Sequence, residues 1–197
     1  MILKTGNAQA EIEPLGAYVA SWTIGDKPIF FQKTVLSGKT RGGCHLCFPN
    51  FDNGDQYGLP NHGYARLVDW QIVKNTPNSV ELEIIRENDL VPAEYRNLEA
   101  NLIYKLAETS LEMTLKVKNN GAESLNLDPA FHPYFNNDAP LYVIHQQNLP
   151  VTLVWSDNLG NYFCAEPTAN GKSFSGDNTP NIIKQGEENL YQIRISL

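Results

Sequence analysis

The sequence predicts an all-β fold, a sandwich of antiparallel sheets. From Ser79 to Lys118 apolar and polar residues alternate with period two, which buries one face of each strand and wets the other. Short apolar runs elsewhere are closed by Gly, Pro, Asn and Asp, the turn formers. No long window carries the apolar stripe of a helix, and no internal repeat or linker divides the chain.

Taken in order, Ala8, Ala10 and Ile12 alternate with Gln9, Glu11 and Glu13, and Pro14 and Gly16 then mark a turn. Tyr18 to Ile24 is a second strand and Ile29 to Phe31 a short third. Residues 36–66 show no clear period, and such a long irregular stretch inside a compact domain is often functional. Trp70 to Lys74 resumes the strands. Val80, Leu82 and Ile84 form one buried face, as do Leu98 through Leu106 at every second position, and Leu111 through Val117 after a hairpin break at 108–110. Leu125 and Leu127 lead into Asp128-Pro129-Ala130-Phe131-His132-Pro133-Tyr134-Phe135-Asn136, where a strand is expected to give way to a stiff loop. Both prolines fix their own φ and extend the residue before them. Four more strands follow at 141–144, 151–155, 162–166 and 190–195, with a loop at 168–180. One domain over residues 1–197, with about ten strands or more, is expected.

Composition bounds the partners. The formal charge is −7, and an acidic surface repels phosphate backbones, so nucleic acid is excluded as a partner. The three cysteines, Cys44, Cys47 and Cys164, give no disulfide framework and suit a reducing compartment. The first residues hold no apolar signal-peptide core, and no later run is long enough to span a bilayer. A cytoplasmic protein with no membrane partner, monomer or homodimer, is expected.

Several motifs have ordinary explanations. Cys44-His45-Leu46-Cys47 resembles half a zinc site, but no second pair exists, so buried reduced cysteines are expected and no metal. Gly38-Lys39-Thr40 lacks the leading glycine and the following helix of a phosphate loop. His145, within an apolar strand, is expected at a strand end or on the surface. His132 by itself fits a hydrogen-bonded core histidine in an aromatic corner.

What changes the weight of His132 is its company. Arg41-Gly42-Gly43 with Cys47-Phe48-Pro49-Asn50-Phe51, then His62-Gly63-Tyr64-Ala65-Arg66, then His132-Pro133-Tyr134-Phe135, then Cys164-Ala165-Glu166-Pro167, in this order, resemble the aldose 1-epimerase (galactose mutarotase-like) superfamily. The nearer resemblance is to its glucose-6-phosphate (hexose-6-phosphate) 1-epimerase branch. It implies an antiparallel β-supersandwich, here shortened, holding a sugar in a shallow cleft. It also implies an aldose or hexose-6-phosphate 1-epimerase that interconverts α and β anomers by acid–base ring opening.

Carried over by position, Glu166 resembles the general base at the anomeric hydroxyl and His132 the general acid at the ring oxygen. His62 resembles the second histidine that holds that oxygen. Arg41 and Arg66 resemble arginines that bind the sugar or its phosphate. No cofactor is implied, and the partner is a small sugar or sugar phosphate. A carboxylate close to His132 favours its imidazolium form, and the two groups are expected on one cleft wall about a sugar ring apart.

Two departures from the family pattern stand out. Few residues separate Asn137 from Pro150, where relatives place several more strands and a sugar-binding aspartate; Asp138 and Asp157 are the nearest substitutes. Cys44-His45 stand where the phosphate branch has an aliphatic residue and a proline. Both departures motivate the alternative function, a non-catalytic carbohydrate-binding module that kept the cleft.

Overall fold

A computed structural model describes residues 1–171 and 181–197. Two antiparallel sheets dominate. An eight-stranded sheet runs in the order Ile2–Thr5, Ala8–Glu13, Tyr18–Ile24, Cys44–Cys47, Ala130–Asn136, Tyr162–Thr168 and Val151–Trp155, with Lys27–Pro28 paired to Tyr18–Ile24. A six-stranded sheet runs Val143–Gln147, Glu188–Ser196, Ser110–Asn119, Leu98–Ala107, Ser79–Ile84 and Trp70–Thr76. Two short ribbons join Leu125–Leu127 to Asn181–Ile183 and Thr34–Leu36 to Lys39–Arg41. Gly38-Lys39-Thr40 therefore belongs to a hairpin rather than a phosphate loop.

The alternation read from the letters holds in the six-stranded sheet. Val80, Leu82 and Ile84 are buried beside half-buried Ser79, Glu81 and Glu83, and Leu98–Ala107 repeats the pattern. These side chains meet Ala10, Ile12 and Trp22 of the larger sheet in one apolar cluster. Each fully buried Leu, Ile or Val contributes about 1.5–3 kcal/mol of transfer free energy.

The structure corrects the reading between residues 36 and 66, where Cys44–Cys47 is a central strand. Its four residues are all buried, so no alternation marks it. Ala130–Asn136 is likewise a strand and not a loop, despite Pro133. Its ladder to Tyr162–Thr168 pairs Ala130 with Thr168 and Tyr134 with Cys164 but is interrupted between them. Pro133 and Pro167 fall in that gap, and neither has an N–H to donate. Ile2–Thr5 is an additional strand. The strand expected at 141–144 is Val143–Gln147, paired with Glu188–Ser196, and Tyr142 just before it stacks on Phe135 with ring centroids 4.1 Å apart. His145 lies exposed on it, as expected. Of the predicted loop at 168–180, Thr168 closes a strand, and residues 172–180 lie outside the described residues.

Candidate active site

Successive side chains of a strand point to opposite faces, so register decides which polar residues meet. His45 pairs with His132 across the sheet. The register of Ala130 with Thr168 and Tyr134 with Cys164 sets His132 opposite Glu166 in the interrupted ladder, and Glu166 in turn pairs with Leu153. One cross-strand row thus carries His45, His132 and Glu166. The next row on that face carries Tyr134, Cys164 and Trp155. The other face of the same strands carries Cys44, Leu46, Phe131, Phe135 and Ala165 into the apolar core. Chemistry and core therefore share the same three strands.

His132 and Glu166 are 4% and 3% exposed, and His132 Nε2 lies 3.3 Å from Glu166 Oε1. They touch, closer than the expected sugar-ring separation. An acid and a base this close can serve two oxygens that are bonded to one carbon. Burial is the largest cause of shift in each group. It pushes the Glu166 carboxyl up to about 7, with Asp52 adding to the rise. It holds His132 well below the usual histidine range, helped by the His62, Arg66 and Arg41 charges. The expected preference for imidazolium is thus overturned: desolvation outweighs the carboxylate contact.

His62 comes from the loop before the short helical turn Ala65–Leu67. Its backbone N–H donates to Asp52 O at 2.9 Å, and its Nδ1 accepts from the Asp52 N–H at 3.1 Å. The acceptor role at Nδ1 leaves the proton of the neutral ring on Nε2. Burial first, then Arg66, lowers His62 to about 4, so it is a neutral N–H donor at physiological pH. Its ring stands edge-on to His132 with centroids 5.4 Å apart. Gly63 makes this loop possible: at φ +73° a Cβ would lie 2.0 Å from Phe48 O.

Arg66 donates from Nη2 to Asn61 O at 2.9 Å, and its Nε is buried without a hydrogen-bond partner among the described residues. Burial is the largest cause lowering His45, His62 and His132, and the Arg66 charge adds to the fall in all three. Arg41 donates from Nε to Asp157 Oδ2 at 2.8 Å and lies over the Trp155 ring, 5.4 Å from its centroid. All five residues singled out in the sequence thus gather at one face.

Sequence reasoning missed His45, Tyr134 and Trp155 as neighbours of His132. Their rings lie 4.5, 4.8 and 6.2 Å from it by centroid. Period-two parity from His132 to Tyr134, and from Glu166 to Cys164, was the available signal. Parity also explains the cysteine pair. Cys44 faces the apolar core and Cys47 packs with Phe51 and Ala130 on the other side, so the two cannot hold one ion. All three cysteines are free and buried. The group best placed for a metal, among the described residues, is His132, Cys164 and Glu166, whose ligand atoms lie within 4.8 Å of one another. An ion there would use the nitrogen and oxygen that now face each other. The hollow of about 860 Å³ beside Gln146, Leu149 and Tyr191 lies elsewhere and includes none of these residues.

Residues 1–154 match the family described as aldose 1-epimerase. A Salmonella typhimurium protein, provisionally named a glucose-6-phosphate 1-epimerase, is 27% identical over 128 residues, covering 61% of this chain and 42% of that protein. The chain thus spans less than half the length of that curated relative. Among solved structures, a protein from Synechocystis sp. PCC 6803 superposes with a TM-score of 0.82 at 18% identity, covering 100% of this chain and 94% of that one. A galactose mutarotase related enzyme from Lactobacillus acidophilus gives 0.81 at 16% identity, covering 100% and 96%. At these identities the superpositions show the fold, an antiparallel galactose mutarotase-like β-sandwich.

Proposed function

This chain belongs to the aldose 1-epimerase family, and from that premise we propose that it interconverts the anomers of an aldose or a hexose 6-phosphate. The observation that carries the reading is the 3.3 Å approach of His132 Nε2 to Glu166 Oε1. It sets an acid and a base together with a neutral His62 N–H beside them.

The pair holds one proton, which burial favours on Glu166; in the reacting tautomer that proton has shifted across the contact to His132 and Glu166 is ionised. Glu166 takes the proton of the anomeric hydroxyl while His132 gives its proton to the ring oxygen. The bond from C1 to the ring oxygen breaks, and C1 becomes a carbonyl carbon. Rotation about C1–C2 presents the other carbonyl face. The ring oxygen then attacks C1, its proton returns to His132, and Glu166 protonates the new anomeric oxygen. Each positioned transfer contributes about 10²–10⁴-fold. His62 holds the ring oxygen through Nε2–H, and Arg41 and Arg66 hold the rest of the sugar. A reducing, cytoplasmic setting suits three free thiols.

Polarimetry of freshly dissolved α-glucose, α-galactose and α-glucose 6-phosphate tests the reading. A rate above buffer for at least one sugar is expected. The shortening after Asn137, where the single strand Val143–Gln147 precedes Pro150, favours a second reading, sugar binding without turnover. Saturable binding in calorimetry with no rate above buffer would establish that reading and remove the first.

A further inference from the structure

At the rim of the site lies a charge arrangement that the proton transfers do not use. Asp157 is held from three directions before any ligand arrives. Arg41 Nε donates to its Oδ2 at 2.8 Å, the Tyr162 hydroxyl donates to its Oδ1, and the Leu159 N–H donates to Oδ1 at 3.2 Å. The Arg41 and Asp157 side chains remain 15% and 18% exposed, so both keep a face toward solvent. Trp155 joins this rim to the proton pair, with Arg41 over its ring and its centroid 6.2 Å from that of His132.

We propose that Asp157 sets the charge of the substrate: by neutralising Arg41 it makes the site take an uncharged sugar and disfavour a sugar phosphate. The proposal rests on the sugar reading above and sharpens it. A phosphate monoester carries about −1.5 to −2 charges at neutral pH. To reach Arg41 it must either sit against the Asp157 carboxylate or displace it, which strips the Tyr162 and Leu159 hydrogen bonds from a carboxylate left beside an anion. Sugar hydroxyls meet no such opposition. Each hydroxyl is both donor and acceptor, and the ion pair offers guanidinium donors next to carboxylate acceptors. Of the two arginines predicted to bind the sugar or its phosphate, Arg66 is the one with no carboxylate in ion-pair contact among the described residues. It is therefore the competing anion site that the test must separate.

Calorimetry of the full chain with glucose, glucose 6-phosphate and inorganic phosphate makes the test, on wild type, Asp157→Asn, Asp157→Glu and Arg66→Ala. Wild type is expected to bind glucose at least about tenfold more tightly than glucose 6-phosphate, a difference of about 1.4 kcal/mol. Asp157→Asn should erase that preference and gain inorganic phosphate binding, and Asp157→Glu should restore it. Arg66→Ala, which removes the competing anion site, should keep the preference for glucose or enlarge it, and a preference lost in that variant also overturns the proposal. Tighter binding of glucose 6-phosphate by wild type, or an unchanged ratio in Asp157→Asn, overturns the proposal. So does the absence of sugar binding by a folded wild type. The two readings fail separately. A ratio that depends on Asp157, without anomer interconversion, removes the epimerase reading alone. Rapid interconversion of both sugars with equal affinity removes this proposal alone.

Discussion

In Ser79–Ile84 and Leu98–Ala107 every second side chain is buried and its neighbours face outward, whereas in Cys44–Cys47 and Ala130–Asn136 nearly every side chain is buried. The first pair of strands has one face to satisfy and fills it with Leu, Val and Ile. The second pair has two, and the second face is polar: His45, His132 and, from the adjoining strand, Glu166. Burying ionisable groups costs free energy unless they are paired or give up their charge. Here they give up charge, which is why Glu166 rises and His132 falls. One sheet carries stability at little chemical consequence. The other carries chemistry at a cost in stability.

Substitutions should separate the two sheets. Glu166→Gln and His132→Asn should each slow anomer interconversion by about 10²–10⁴-fold while the protein stays folded by circular dichroism. Leu102→Ala, in the other sheet at 0% exposure, should cost about 2–5 kcal/mol in urea unfolding. It should leave the pH profile of the surviving activity unchanged. A Leu102→Ala protein that changes that profile would break the division.

The cost of the polar face can be measured directly. Glu166 binds its proton more tightly folded than unfolded, so its contribution to stability is fully present below the unfolded carboxyl range. That contribution is lost as pH rises through about 7. Glu166→Gln should therefore be more stable than wild type at pH 8, by about 1–3 kcal/mol, with the advantage shrinking toward zero near pH 4. Paired urea titrations at the two pH values check the sign. A wild type more stable than the variant at pH 8 would mean that the carboxylate is better satisfied than its surroundings indicate.

The same shifts predict the rate profile. A pair that works with one shared proton loses it as Glu166 titrates, so kcat/KM should fall above about pH 7. It should fall again only well below pH 6.5, where His132 also takes a proton. A rate that instead climbs through pH 7 would assign the base role to ionised Glu166 alone. The smallest effect belongs to the exposed His145: His145→Ala should change stability by no more than about 0.5 kcal/mol and the rate not at all.

The sequence made the six-stranded sheet easy to see and the strands of the site hard, for one physical reason. Alternation is visible only where one face is wet. Leu98 to Leu106 declares itself; Cys44-His45-Leu46-Cys47 does not, since apolar and polar members are buried alike. Pro133 inside Ala130–Asn136 misled as well, because proline argues against a central strand unless its missing donor falls in a ladder gap. The candidate residues were named from their motifs, but their contacts were not legible. The closeness of His132 to Glu166 depends on a register across residues far apart in sequence. The charge on His132 depends on burial, which overrides the attraction of a nearby carboxylate. Asp157 stood out in the sequence only as a nearest substitute for a missing sugar-binding aspartate; its pairing with Arg41 depends on the hairpin at 34–41 folding against it.

The most direct test of the acid–base pair is the rate of α-to-β conversion of freshly dissolved glucose at pH 7, measured by polarimetry for wild type and His132→Asn at equal concentration of folded protein. Wild type well above buffer and His132→Asn at least about a hundredfold slower is the predicted result. Equal rates for the two proteins would contradict the account.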